Sequence, residues 1–178
     1  MAALRTISGT PQHSEWSPFH LAYLVQRVHG DDATALLETQ ACEARQILSN
    51  VPAEKESFRY APEKWSLRQV VGHLCDGERI LSTRCLASAR GDTASYPPFD
   101  EEAFAEIAGH DEIPLADLLE QFLSVRNSTL ALLSTFRHEE WRRTANFNNH
   151  PVSSRAWAFA IFAHLDLHLE TIRTRYLG

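Results

Sequence analysis

The chain has 178 residues, of which 44% are hydrophobic and 22% charged, a composition typical of one globular domain. Its formal net charge is −6, which disfavours nucleic acid and anionic membrane surfaces as partners. No apolar run is long enough to span a membrane, and the first residues lack a signal-peptide pattern. We therefore expect a single domain over residues 1–178, with no nucleic-acid or membrane partner, and with residues 1–16 as a loosely attached segment.

The three cysteines indicate a reducing compartment, which for this chain predicts the cytoplasm. Cys42, Cys75 and Cys85 are odd in number and form no CxxC pair. We expect each of them to be a small, buried, apolar side chain rather than part of a disulfide or a metal site.

The first half of the chain carries two helical patterns and no pattern of alternating polar and apolar residues. The first pattern runs from about Ser17 to Asn50 with an interruption at Gly30, after which Asp31 or Asp32 is placed to cap its second part. The second helix has the clearest start, because Ser66 and Gln69 have the spacing of a capping box. It is predicted to continue to about Arg90, and Gly91 then provides a stop signal.

The segment 91–113 looks irregular and is long enough to cross the side of a bundle, with a short helix over about 101–108. A third helix is predicted from Pro114, since proline suits the first turn of a helix. After a polar linker at 137–152, Ser153 or Ser154 is placed to cap a fourth helix that ends near Tyr176. The first half of this helix is apolar all round, which predicts a place inside a bundle or at a subunit contact.

Three histidines fall on the apolar faces of these helices. His164 and His168 are four residues apart on the fourth helix, so their rings share one face. His73 lies on the apolar stripe of the second helix and can provide a third nitrogen if that stripe packs against the fourth helix. Three protein ligands with an open position are typical of catalytic metal sites. The alternative for each histidine is a hydrogen-bonded core residue, and a pair at this spacing also arises by chance.

These residues resemble the DinB-like superfamily, a group of four-helix-bundle proteins of which most bind a metal. The likeness lies in the order and spacing of several segments over about residues 30–177: Trp65-Ser66, Gly72-His73-Leu74, Asp76, Glu78-Arg79, Pro98-Phe99-Asp100, Ser124-Val125-Arg126, Glu139–Arg143 and His164…Asp166-Leu167-His168…Ile172. The chain departs from the family pattern at Glu170-Thr171, where many members have a Gly-Gln pair. The substrate of any one branch of the family therefore cannot be assigned to this chain. We expect Glu170 to be a surface charge.

The resemblance implies an all-α, up-down-down-up four-helix bundle with a long crossover between its second and third helices. It also implies a divalent metal ion, zinc or nickel, held by His73, His164 and His168, and a homodimer. Related branches transfer low-molecular-weight thiols to small molecules, and others are described as metal-dependent hydrolases. We therefore expect a metal-dependent thiol S-transferase acting on small electrophiles, with a hydrolase, or a stress-related binding bundle with a structural metal, as alternatives.

Other side chains allow two interpretations each. Arg84 and Arg126 are expected to pair with surface acids, the alternative being an acidic group of the substrate. The tryptophans Trp65, Trp141 and Trp157 are expected in core packing rather than in a substrate cleft. His110 lies in a predicted linker and is expected to contact water. Asp76 is placed to accept from a ring N–H or a bound water, or to face solvent. No catalytic acid or base is predicted.

Overall fold

Helices make up most of the structure, a computed structural model that describes residues 7–16 and 22–178. The α-helices are α1 (Ala22–Val25), α2 (Ala33–Leu48), α3 (Leu67–Arg90), α4 (Glu101–Ile107), α5 (Leu115–Leu133) and α6 (Ser154–Thr171). Short 3₁₀ turns lie at His13–Glu15, Ala53–Lys55, His110–Glu112 and Glu140–Arg142, and a π-helical segment, Ile172–Leu177, follows α6. The start of the first predicted helix, from Ser17, lies outside the described residues.

The helix ends are set by the local signals that the sequence carries. Ser66 and Gln69 exchange side-chain to backbone hydrogen bonds, so the predicted capping box of α3 is confirmed. Gly91 ends that helix at φ 70°, a conformation that glycine adopts without steric cost. Asp32 caps α2 and Ser153 caps α6, each by accepting from backbone amides of the first turn.

Four helices form a bundle in which α2 and α3 each pack against both α5 and α6. The segment between α3 and α5 carries α4 along the side of the bundle, as the crossover prediction requires. One core cluster joins the C-terminal halves of α2 and α6 to the N-terminal halves of α3 and α5. A second cluster fills the opposite end. The predicted helical bundle is therefore confirmed.

The apolar first half of α6 lies inside the bundle. Every side chain from Ala156 to Ala163 is buried within the chain itself, and the Gln40 amide on α2 donates a 3.0 Å hydrogen bond to the carbonyl of Phe162. Of the two places predicted for this apolar half of α6, the inside of the bundle and a subunit contact, the first accounts for its side chains. Among the helices of the described residues, none combines the length and apolarity needed to cross a membrane.

A small sheet corrects the prediction that the fold is all helical. The strands are β1 (Ser95–Tyr96), β2 (Thr144–Phe147) and β3 (His150–Ser153), with β1 parallel and β3 antiparallel to β2. The hairpin turns at Asn148 and Asn149, whose φ values of 46° and 64° suit a two-residue turn and are tolerated by asparagine. Strands of two to four residues are too short to show a clear alternation of polar and apolar side chains. The sequence analysis therefore assigned these residues to irregular segments.

Residues 7–16 lie against the bundle. Trp16 is buried in the core, and the Glu15 carboxylate forms an ion pair with Arg155 at the start of α6. The Ser8 hydroxyl donates to the carbonyl of Asp31 at 2.9 Å and accepts from the amide of Ala33. These contacts connect the N-terminal segment to the starts of both α2 and α6.

Candidate metal centre

The three predicted histidines meet between α3 and α6. One ring nitrogen from each of His73, His164 and His168 lies within 4.8 Å of the other two. The Nε2 atoms of His73 and His164 are 2.9 Å apart, and the ring centroids of His164 and His168 are separated by 4.7 Å. The packing of the α3 stripe against α6, on which the sequence prediction depended, is therefore present.

Burial keeps these imidazoles neutral. His73 is 4% exposed, while His164 and His168 are half-buried. Burial lowers the pKa of His73 to about 3 and that of His168 to about 4, and it holds the pKa of His164 well below its ordinary value. Repulsion between neighbouring imidazolium charges lowers the pKa values of His73 and His164 further. All three rings therefore carry a free lone pair at neutral pH, which metal binding requires.

Two neighbours fix the rings of the cluster. Gly77 on α3 lies against His164, because a Cβ at this position would come within 2.9 Å of Cε1 of that ring. On the other side, the Trp65 ring lies 4.8 Å from the ring of His73. The glycine is the signal that the sequence reasoning missed, since a glycine inside a helix costs about 1 kcal/mol relative to alanine and points to a close contact.

A cavity of about 460 Å³ opens beside the histidine cluster. Its wall contains His164 together with apolar, aromatic and charged side chains: Leu24, Gly77, Leu81, Arg84, Pro98, Phe99, Asp100, Glu101, Phe147 and Trp157. The crossover segment and the hairpin provide Phe99 and Phe147, so both elements between the helices help to enclose the site. A pocket of this size and lining is typical of small-molecule binding.

The comparison with known sequences identifies the family. The profile of the DinB superfamily matches residues 36–172, a span that contains all three histidines. This chain belongs to the DinB superfamily. No curated protein matches the chain.

A solved member of the same fold is YfiT from Bacillus subtilis, described as a probable metal-dependent hydrolase with an unusual four-helix bundle topology. The TM-score is 0.68 with 19% sequence identity, and the match covers 92% of this chain and 91% of YfiT. At this level of identity the likeness shows a shared fold, a four-helix bundle.

Two arginines of this DinB-superfamily chain are not at the surface, contrary to the sequence prediction. Arg126 is fully buried and forms a two-pronged ion pair with Glu78 at 2.7 and 2.8 Å. Its Nη1 also donates to the carbonyl of Leu37. Arg84 is 7% exposed and faces the cavity, where its Nη2 donates to the carbonyl of Pro97 at 2.7 Å. Arg126 shares its helix face with the buried side chains of Leu119 and Phe122, so its apolar neighbours were a signal of burial that the sequence prediction did not use.

His110 is buried rather than in contact with water, which corrects a second prediction. Its ring lies so close to α3 that a Cβ on Gly72 would be 2.2 Å from its Cγ. Nδ1 of His110 has no hydrogen-bond partner among the described residues, and Nε2 lies 3.8 Å from the Asp76 carboxylate. Asp76 therefore lies between His110 and Arg79. The Arg79 guanidinium donates to the Asp76 carboxylate at 3.3 Å.

The remaining predicted residues divide between core and surface. Cys75 and Cys85 are buried as expected, and burial raises the pKa of the Cys75 thiol to about 12, whereas Cys42 is exposed and contradicts the prediction. Glu170 is an exposed charge as expected, bonded to Arg27. Trp141 and Trp157 are buried in the core as predicted, although Trp157 also forms part of the cavity wall, and Trp65 is partly buried against the other core cluster.

Proposed function

We propose that this protein is a metal-dependent enzyme of the thiol S-transferase type, which joins a low-molecular-weight thiol to a small electrophile. The metal would be zinc or nickel, held by His73, His164 and His168. The observation that carries the proposal is that three imidazole nitrogens within 4.8 Å of one another lie beside a cavity large enough for a small molecule.

The residues present fit a divalent metal ion. Three neutral imidazoles are a donor set that suits zinc and nickel, and their lowered pKa values reduce competition from protons. Among the described residues, the group contains no fourth histidine, cysteine or carboxylate, which leaves room for a ligand from solution. When bound, the metal would supply Lewis acidity and lower the pKa of a coordinated thiol or water.

The protein itself would bind and orient the substrates. His164 belongs both to the histidine cluster and to the cavity wall, so a molecule in the cavity lies next to the cluster. The aromatic rings of Phe99, Phe147 and Trp157 would exclude water from an apolar electrophile. In the transfer, the thiol sulfur forms a bond to carbon, the leaving group departs with its electron pair, and the thiol proton passes to solvent.

Hydrolysis is a second candidate, and one feature of the cavity favours it. The carboxylates of Asp100 and Glu101 lie in the same wall as His164. A carboxylate in the cavity is suited to take a proton from an attacking water, whereas thiol transfer has no need of a base once the thiol is ionised. The fold relative YfiT is itself described as a probable metal-dependent hydrolase.

Elemental analysis of untagged protein tests the proposal. We expect about one zinc or nickel ion per chain, lost in His168→Ala and retained in His138→Ala, a control at an exposed histidine outside the cluster. The metal-loaded protein is then given glutathione with chlorodinitrobenzene, and separately nitrophenyl acetate with no thiol. Turnover of the first pair alone supports transfer, and turnover of the ester alone supports hydrolysis. A metal that stabilises the chain without either turnover would indicate a structural role and contradict both.

Two further features belong to the proposal. In one core cluster, the C-terminal halves of α2 and α6 meet the N-terminal halves of α3 and α5, and the other cluster lies at the opposite end of the bundle. The helices α2 and α6 therefore run in one direction and α3 and α5 in the other, which supports an up-down-down-up topology. A homodimer stays a prediction, to be checked by light scattering of the purified protein.

A further inference from the structure

The guanidinium of Arg84 lies buried in the cavity wall and has no acidic partner in residues 7–16 and 22–178. Arg84 is 7% exposed, and its one hydrogen bond to the described residues runs from Nη2 to the carbonyl of Pro97. The aromatic rings of Phe147, Trp157 and Phe99 surround its guanidinium carbon, with their centroids at 4.4, 5.4 and 5.8 Å. Most of the five N–H donors of this side chain thus have no protein acceptor among the described residues.

The second buried arginine shows how unusual this environment is. Arg126 is fully buried as well, but Glu78 neutralises it through two short hydrogen bonds. Within the part of the chain that the structure describes, no carboxylate is paired with Arg84, whose hydrogen bond goes to a backbone carbonyl instead. Burial accordingly lowers the pKa of Arg84 to about 10, with no opposing attraction from an acid. An unpaired buried charge is unfavourable, so an anion that entered the cavity would be bound strongly.

We propose that Arg84 binds the carboxylate of a small organic monoanion whose apolar part lies against Phe147 and Trp157 and whose other end points toward His164. A single guanidinium matches the single negative charge of a carboxylate better than the double charge of a phosphate. This inference deepens the proposed function, on which it rests for the identity of the anion as a substrate.

The spacing along α3 gives the approximate length of that substrate. Gly77 contacts His164, and Arg84 follows seven residues later on the same helix. Seven residues are about two turns, so the two positions share a face and are about 10 Å apart along the axis. A molecule the size of a substituted aromatic acid spans this distance, with its carboxylate at Arg84 and its reacting end near the histidine cluster.

Calorimetric titration with two probes of equal shape tests the inference. Phenylpropionate carries the carboxylate, and phenylpropanol replaces it by a neutral hydroxyl. With metal-free protein we expect phenylpropionate to bind at least about tenfold more tightly, since a charge-assisted bidentate contact is worth more than a neutral one. Arg84→Met is expected to abolish this preference, and Arg84→Gln, which keeps the polar side chain without its charge, should abolish it too. Arg45→Met, at an exposed arginine paired with Glu120, should leave it unchanged.

Three results would overturn the inference. The first is equal affinity of the wild-type protein for the acid and the alcohol, which needs no variant to fold. The second is a preference for the acid that survives in Arg84→Gln. The third is binding of the acid only after metal loading, which would assign the carboxylate to the histidine cluster instead. Because the titration uses metal-free protein, a failure to find bound metal or turnover would defeat the proposed function and leave this test intact.

Discussion

Gly77 and His164 face each other across the interface between α3 and α6, with no room for a side chain between them. A Cβ at position 77 would be 2.9 Å from Cε1 and 3.5 Å from Nδ1 of the imidazole. The first of these distances is shorter than a van der Waals contact between carbon atoms. The absence of a side chain at position 77 therefore sets where the ring of His164 lies relative to His73.

Gly77→Ala should weaken metal binding without unfolding the helix. The added methyl group must push the His164 ring from its position, and changes of this kind beside a ligand cost about 10- to 100-fold in metal affinity. Alanine is also the better helix former by about 1 kcal/mol, so α3 itself is not destabilised by propensity. Competition with a chromogenic chelator measures the affinity. Thr83→Ala, at an exposed position of α3, is the control, and an unchanged affinity in Gly77→Ala would show that the contact does not position the ring.

Metal removal should lower the melting temperature. At a free metal concentration about 100 times the dissociation constant, binding to the folded state alone adds about 2.7 kcal/mol. For a chain of 178 residues this corresponds to about 5–10 °C. Scanning calorimetry with and without EDTA measures the difference. His164→Ala should melt at the same temperature in both buffers, and a chelator effect that persists in this variant would place the metal elsewhere.

The Glu78–Arg126 ion pair should be costly to break from either side. Both side chains are buried, so Arg126→Met leaves the Glu78 carboxylate without its partner, at a cost of about 3–5 kcal/mol. The double variant Glu78→Met with Arg126→Met should lose less than the sum of the two single variants, because it leaves no unpaired charge. Urea denaturation gives these free energies of unfolding. Additive losses would mean that the two groups act independently.

The ion pair between Glu15 and Arg155 should make stability depend on pH. Burial alone would raise the pKa of Glu15, but hydrogen bonds from Arg155 and Ser153 outweigh it and lower that pKa below 4.5. The folded state therefore binds fewer protons than the unfolded state, and the stabilisation is complete above pH 4.5 and is lost as the pH falls through the folded pKa. Above pH 4.5, Glu15→Gln should cost about 2 kcal/mol.

Melting temperatures of wild type and Glu15→Gln across this pH range provide the measurement. The difference between them should shrink on acidification, as the wild-type carboxyl takes up its proton. Glu139→Gln, at a more exposed acid of the surface, is the control and should show a smaller difference at every pH. A gap that stays constant into acid would mean that the Glu15 charge is not the source of the stabilisation.

The helices and their ends could be predicted because their signals are local. Ser66 reaches the amide of Gln69 within one turn, and Gly91 needs only its own backbone freedom. The shared face of His164 and His168 follows in the same way from their spacing in one helix. The hairpin at Asn148 and Asn149 also has a local signal, but its strands are too short to be distinguished from a polar linker.

What surrounds each side chain was decided by the tertiary structure. Arg84 and Arg126 look alike in the sequence. In the folded chain, however, Arg126 forms an ion pair with Glu78, whereas Arg84 lies against aromatic rings in the cavity wall. His110 is close to Gly72 only because the crossover folds back onto α3, and His73 meets the pair on α6 across 91 residues of chain. Propensity and capping act within a few residues, whereas burial, charge pairing and ligand geometry depend on contacts between distant segments. The sequence alone therefore determined the helices and the histidine pair, and the three-dimensional packing completed the site.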